Sequence, residues 1–336
     1  MNLFQWLFPP RVSTPSTPPS PAPVPGGSIG IGIMPGDNWL GWPAARQREV
    51  FRSLGVTWYR PLAVYLIHSA ERVRECDAAK ALGLDLVLTI MNSGSMKYPP
   101  EPSRAPKDLE VFKAALWAVL QRHRPAVLVV ENEQDDDDRY YDSSPAEYLA
   151  ELGAAGEIAH AMSIKVTDGG MTCLAICWLV IEDLLARDEA AALDFANRTL
   201  PHLIDTPPKS VAMLRYRLRQ RTRKQQRARE MLTGFAQAGS DYVNFHWYVP
   251  DADALRTAVE YLTRVTGLPA ICNEMGQRDG DPEHTRTLLA AAGDLSLSVI
   301  YYSIDRPDGT QSVIDSDGTL RSTGQAFQAI AAGRPS

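Results

Sequence analysis

Nowhere do the 336 residues hold an apolar run near the roughly 20 needed to cross a bilayer, so no membrane span is expected. Charge of one sign is scarce as well. The 34 Lys and Arg against 40 Asp and Glu leave a net −6, too mild to call for nucleic acid or a membrane surface as partner. Only four cysteines occur, Cys76, Cys173, Cys177 and Cys272, without the CxxC spacing of zinc sites or redox motifs. Cys173 and Cys177 stand one helical turn apart and Cys272 lies in a strand-like run, which predicts buried free thiols. The six histidines include no His-x-His pair near the first strand, which argues against a metal-dependent amidohydrolase barrel. A dinucleotide fingerprint is missing too. Gly30 and Gly32 have the wrong spacing and are followed by Pro35, so close packing explains them better. Neither a cofactor nor a metal is expected.

What is present is a chain long enough for one large α/β domain or two ordinary ones, with 45% hydrophobic residues to build a core. Residues 1–8 are apolar but carry no basic residue ahead of the greasy stretch, which makes a poor signal peptide. Residues 9–27 are dominated by Pro, Ser and Thr and cannot bury a core. Residues 1–27 therefore read as a disordered tether, and a secreted or cell-surface setting is left open. From residue 28 onward, strand-like and helix-like segments alternate. Strands are predicted over 29–34, 56–60, 84–91, 127 onward, 164–168, 241–247, 268–274 and 297–303. Helices are predicted over 43–54, 69–82, 106–123 (Trp117 and Leu120 on its apolar face), 145–162, 251–266, 281–293 and 323–332. A long helical excursion, 173–238, is broken only around Pro201 and Pro207-Pro208. Eight βα units in series imply a closed (β/α)8 TIM barrel in one domain, 28–336, with the excursion between strands five and six. A monomer is expected.

In such a barrel all strand C-termini open on one face, where chemistry collects. Strand four runs Val127-Leu128-Val129-Val130 and ends in Glu131-Asn132-Glu133-Gln134. Strand seven ends in Asn273-Glu274-Met275-Gly276. Two buried strands each delivering an Asn-Glu pair put Glu133 and Glu274 on one rim, across the mouth from each other. Paired carboxylates in that position suit glycoside hydrolysis, one as proton donor and one as nucleophile or as base for water.

Arg60-Pro61, Asn132-Glu133, His246-Trp247-Tyr248 and Glu274-Met275-Gly276, with the tail Asp315-Ser316-Asp317-Gly318-Thr319, resemble the clan A glycoside hydrolases, the cellulase-like family 5 and its relatives above all. The resemblance spans 29–332. It implies a retaining enzyme that cleaves β-glycosidic bonds of an oligo- or polysaccharide, with carbohydrate as partner. Within it Glu133 is the general acid/base and Glu274 the nucleophile. Asn132 bonds the sugar 2-hydroxyl, Arg60 keeps Glu274 ionised, Tyr248 orients it, His246 touches substrate, and Tyr302 stands where an aromatic sugar platform belongs. Two positions depart from the pattern: Gln134 replaces Pro, and Met91-Asn92 follow strand three in place of a His. A catalytically inactive carbohydrate-binding barrel is the alternative reading.

Two charged stretches lie outside that scheme. Asp135 to Asp138 read as a solvated loop, with a Ca²⁺ site, selection for a cationic substrate or like-charge repulsion that raises the Glu133 carboxyl as alternatives. The basic segment 215–229 reads as a solvated outer helix, with docking on an anionic surface as the alternative.

Overall fold

A computed structural model describes residues 30–34, 41–66, 73–94, 101–304 and 312–332. The expected tether, 1–27, lies outside these residues. The strands are β1 (Ile31–Ile33), β2 (Trp58–Tyr59), β3 (Val64–Tyr65), β4 (Asp85–Met91), β5 (Val127–Val130), β6 (Lys165–Asp168), β7 (Val243–Trp247), β8 (Ala270–Met275) and β9 (Ser298–Tyr301). All named pairings are parallel, in the order β6-β5-β4-β2-β1-β9-β8-β7. Both β2 and β3 pair with β4, in nearly continuous register (Tyr59 with Leu86, Val64 with Ile90), so they form one barrel strand interrupted at Arg60-Pro61. The ring closes between β6 and β7 through bridges at Thr167 with Tyr242 and Met171 with Phe245. The eight-stranded barrel predicted from the sequence is therefore present.

Alternation within the strands separates two cores. Val87, Val127, Val129 and Ile300 point inward with Met34, while Leu86, Leu88, Leu128, Val130 and Val299 face the helices. Close packing around β1 leaves no room for side chains at Gly30 and Gly32. A Cβ on Gly30 would lie 2.3 Å from the Trp58 ring, and one on Gly32 would lie 2.3 Å from Ile300. All four cysteines are free and buried, as their spacing predicts.

The surrounding helices are α1 (Ala44–Leu54), α2 (Val73–Ala81), α3 (Leu109–His123), α4 (Pro145–Ala161), α9 (Ala252–Thr266), α10 (Pro282–Asp294) and α11 (Ser322–Ala332). Helix α4 starts on a full capping box, with Ser144 and Glu147 satisfying each other's backbone donors and Pro145 at the first turn. Asp108 and Asp251 cap α3 and α9. The first of these caps starts α3 three residues later than expected. The amphipathic reading of α3 is also corrected at one position: Trp117 is 43% exposed, and Phe112, Leu116, Val119 and Leu120 form its buried face.

Between β6 and β7 the chain folds into α5 (Cys173–Leu185), α6 (Glu189–Thr199), a 3-10 turn (Leu200–His202), α7 (Val211–Gln220) and α8 (Thr222–Gly234). Two breaks escaped the sequence pattern. One is at Asp188, whose side chain caps α6, and the other is at Arg221 between α7 and α8. Nor does the basic segment lie loose in solvent. Arg227 donates to the carbonyls of Gln134 and Tyr141, each at 3.1 Å, and to that of Ser143. Lys224 meets Asp138 at 2.6 Å and Asp137 at 3.7 Å. The excursion thus grips the loop that leaves β5.

Candidate active site

The site grows out of a polar layer stacked on the apolar barrel interior. Arg60, Thr89, Asp168, Asn244, His246 and Asn273 are all buried, within the strands or at their C-terminal ends. A guanidinium there must have every donor satisfied, and Arg60 finds partners on three sides. Its Nε donates to Thr89 Oγ1 (3.1 Å), one terminal nitrogen to Asn273 O (3.0 Å) and Glu274 Oε2 (2.8 Å), and the other to Asn132 Oδ1 (2.7 Å).

Glu274 also accepts a hydrogen bond from the Tyr248 hydroxyl on Oε1. Across the mouth, His246 Nδ1 meets Glu133 Oε1 at 2.8 Å, while its Nε2 lies 3.9 Å from Glu274 Oε2. One oxygen of each glutamate and one imidazole nitrogen lie within 4.8 Å of one another. Both carboxylates keep a sliver of solvent exposure, 16% for Glu133 and 15% for Glu274, while His246 has none. The ring of Tyr302 packs edge-on against Tyr248 with centroids 6.2 Å apart. Arg60, Asn132, Glu133, His246, Tyr248, Glu274 and Tyr302 therefore form one connected cluster.

Local irregularities aim these groups. The β7–β8 register shifts between Asn244 and His246, and the β8–β9 register shifts between Cys272 and Met275. Such bulges re-aim side chains at barrel rims. After β5 the backbone turns through left-handed conformations at Glu131 (φ 67°) and Glu133 (φ 44°), which presents Asn132 and Glu133 to the mouth.

Electrostatics hold Glu274 and its two ring neighbours in defined states. Burial alone would raise the Glu274 carboxyl, but the His246 and Arg60 charges and the bonds from Tyr248 and Arg60 outweigh it and hold it below its ordinary value. Burial would lower the His246 imidazole, yet the Glu274 charge and the Glu133 bond and charge hold it above its ordinary value. Burial, then the Glu274 charge and hydrogen bond, drive Tyr248 far up, so its hydroxyl stays a donor. Glu133, His246 and Glu274 also offer three ligand atoms to a metal ion. A divalent ion there would sit against the fixed Arg60 charge on Glu274 Oε2. The donor set therefore suits carboxylate chemistry better than a metal.

Both departures from the family pattern acquire a physical role. The Gln134 side chain is buried and donates to Asp168 Oδ2 (3.1 Å), and Asp168 Oδ1 in turn accepts from Asn244 N (2.8 Å). That chain ties β5, β6 and β7 together beneath the cluster. The Asn92 side chain donates to the Arg104 carbonyl at 2.8 Å, and its backbone N–H to Glu131 Oε1 at 2.7 Å. The acidic run is similarly divided: Asp135 is buried and accepts from the backbone and hydroxyl of Thr172, which caps α5, whereas Asp138 pairs with Lys224.

Sequence reasoning passed over a buried acid pair behind β5. Glu131 accepts from Asn92 and Ser103, Glu151 accepts from Tyr141 at 2.8 Å, and the second oxygen of each carboxyl is buried without a partner. Two buried carboxyls cannot both ionise cheaply, and burial raises Glu131 from 4.5 to about 8 and Glu151 well above its ordinary value. Burial likewise raises Asp168 to about 7 and Asp135 to about 6. An acid raised by folding holds its proton more tightly in the folded chain. Its contribution is complete below the unfolded value near 4 and is lost as pH climbs through the folded value. The melting temperature should therefore fall between pH 5 and pH 8.5, by a loss on the order of a few kcal/mol. Glu131→Gln, which keeps both acceptor bonds and can donate to Glu151, should flatten that slope in thermal melts. An unchanged slope would mean the pair does not hold its proton.

No family model and no curated protein matches the sequence. Solved structures do match its fold. A glucosidase from Croceicoccus marinus aligns at 13% identity and TM-score 0.56, over 90% of this chain and 65% of its own. An exo-β-1,4-mannosidase from Opitutaceae bacterium strain TAV5 aligns at 13% identity and TM-score 0.55, over 91% of this chain and 59% of its own. A GH39 β-xylosidase from Caulobacter crescentus aligns at 12% identity and TM-score 0.57, over 91% and 72%. The chain thus spans less than two thirds of the length of the first two enzymes. The architecture it shares with all three is the barrel, and by its fold the chain resembles the clan A glycoside hydrolases.

Proposed function

We propose that this protein is a retaining β-glycosidase. The observation that carries the reading is the approach of Glu133 and Glu274, with oxygens within 4.8 Å of each other across the barrel mouth. Retaining enzymes place their carboxyl groups about 5 to 5.5 Å apart, whereas inverting enzymes need about 6.5 to 9.5 Å to admit a water.

In the first step the Glu274 carboxylate attacks the anomeric carbon. The bond to the leaving oxygen breaks as Glu133 gives that oxygen its proton. In the second step the Glu133 carboxylate takes a proton from water, water attacks the anomeric carbon, and the ester to Glu274 breaks. Arg60 and Tyr248 hold Glu274 as an anion, and His246 fixes Glu133 on the opposite side. Arg60 can only donate, so it claims the Asn132 carbonyl and leaves the amide N–H groups for the sugar 2-hydroxyl. Tyr302, packed on Tyr248, offers an aromatic edge to the sugar.

The test is trapping with 2-deoxy-2-fluoro glucosides, mannosides and xylosides bearing a good leaving group, followed by peptide mass spectrometry. One sugar per chain is expected, on the peptide containing Glu274. A label elsewhere would reassign the nucleophile. No label, together with no turnover of aryl glycosides, would favour the inactive sugar-binding barrel.

A further inference from the structure

Outside the cluster lies a recess. A cleft of about 700 Å³ is lined by the turn after α6 (Pro201 to Pro207), by Lys209, Met213 and Arg217, and by Arg278. Arg278 stands four residues beyond Glu274, on the loop that leaves β8. The far wall is pinned to the same rim. Arg198, near the end of α6, clamps Asp251 with two bonds of 2.8 and 2.7 Å, and Asp251 caps α9 three residues after Tyr248. The cleft is therefore walled by the loop after β8 and by a turn held to the start of α9, both beyond strand C-termini.

Its charge is out of balance. Lys209, Arg217, Arg278 and His202 face Asp205 as the one acid in the lining. None of the four basic side chains has an ion-pair or hydrogen-bond partner among the described residues. Nearby cations are matched: Arg198 with Asp251 and Asp253, Arg215 with Glu189, Lys224 with Asp138 and Arg229 with Glu182. In a chain of net charge −6, Lys209, Arg217 and Arg278 gather in one concavity against a single acid. Two of them are guanidinium forks, whose parallel donors suit a carboxylate or sulfate. Pro201, Leu203, Ile204 and the 45% exposed Met213 supply apolar surface for the C–H face of a sugar ring.

We propose that this cleft is a subsite for a negatively charged sugar residue, bearing a carboxylate or a sulfate, of the chain cleaved at Glu133 and Glu274. The identity of the ligand as a saccharide rests on the function proposed above. The charge requirement rests on the cleft.

The test uses the full chain in native gels containing polygalacturonate, dextran sulfate, a neutral mannan or no polymer. Retardation by polygalacturonate or by dextran sulfate is expected, and whichever polymer retards more names the charged group. The neutral mannan should retard it far less. Arg217→Ala and Arg278→Ala are partly or wholly exposed and should leave the melting temperature unchanged. Each should weaken retardation roughly tenfold, the scale of a lost charge-assisted pair. Rising salt should abolish it.

Retardation by neither anionic polymer, or equal retardation of wild type and both variants, would overturn the proposal. So would equal binding of a short DNA duplex that the two variants lose in parallel, because the cleft would then read charge and no sugar. The readout needs no turnover, so it separates from the trapping test. Binding without trapping sinks the hydrolase and keeps the cleft, and trapping without binding does the reverse.

Discussion

Glu274→Ala should abolish hydrolysis, with kcat/KM falling on the order of 10⁴-fold or more, about 5.5 kcal/mol of lost transition-state stabilisation. The fold should survive. Arg60 loses its carboxylate but keeps Asn132 Oδ1, Asn273 O and Thr89 Oγ1, so the buried guanidinium remains hydrogen-bonded. Alanine also opens a space beside the anomeric carbon that a small anion can fill, held by the same Arg60 charge and the Tyr248 hydroxyl. Azide should therefore restore part of the turnover of activated glycosides and release an α-glycosyl azide, the inverted product. Measurement of kcat/KM with and without azide, with NMR of the product anomer, decides the matter. Full activity in the variant, or azide rescue with a β product, would remove Glu274 from the nucleophile role.

Most of this arrangement was legible because it depends on periodicity and on chain order. Aliphatic runs such as Val127–Val130 can only be buried strands, and eight of them alternating with helices leave few topologies besides the barrel. Once the barrel is inferred, strand ends share a rim, and the Asn-Glu pairs at Asn132-Glu133 and Asn273-Glu274 must face each other. What stayed hidden depends on contacts between residues far apart in sequence. Arg227 carries no local sign that it will donate to Gln134, 93 positions away. Glu151 looks like an ordinary surface acid, since it sits in a helix rich in Ala and Glu, and only the packing of α4 on β5 buries it with Glu131. Gln134 looked like a loss because proline was the reference. Its gain, the tie to Asp168, needs β6 beside it to be seen. Helix breaks behaved the same way: the prolines of the excursion announced theirs, while Asp188 ends one helix and starts another through a cap that composition does not flag.

Glu133→Gln should give a graded result that an inert residue could not. The substituted amide can keep the bond to His246 through its carbonyl, so the loop should hold its place. That loop is fastened independently of the side chain, by the Glu133 N–H to Gly169 O, Asp136 N–H to Glu133 O and Arg227 to Gln134 O. What glutamine cannot do is release a proton to the leaving oxygen or take one from water. The worth of a general acid is about 10² to 10⁴, and natural glycosides, whose alkoxide leaving groups need protonation, should lose that much in kcat/KM. Dinitrophenyl glycosides leave without a proton, so glycosylation of Glu274 should proceed at nearly the wild-type rate. The second step still lacks its base, so the glycosyl-enzyme should accumulate and show as a burst of dinitrophenol. Added azide needs no base and should discharge the ester, this time with retained configuration, opposite to the product from Glu274→Ala. Burst kinetics and kcat/KM along a series of leaving groups are the measurements. An equal fall for all leaving groups, with no burst, would make Glu133 a binding or structural residue and send the search for the acid to another strand end on the same rim.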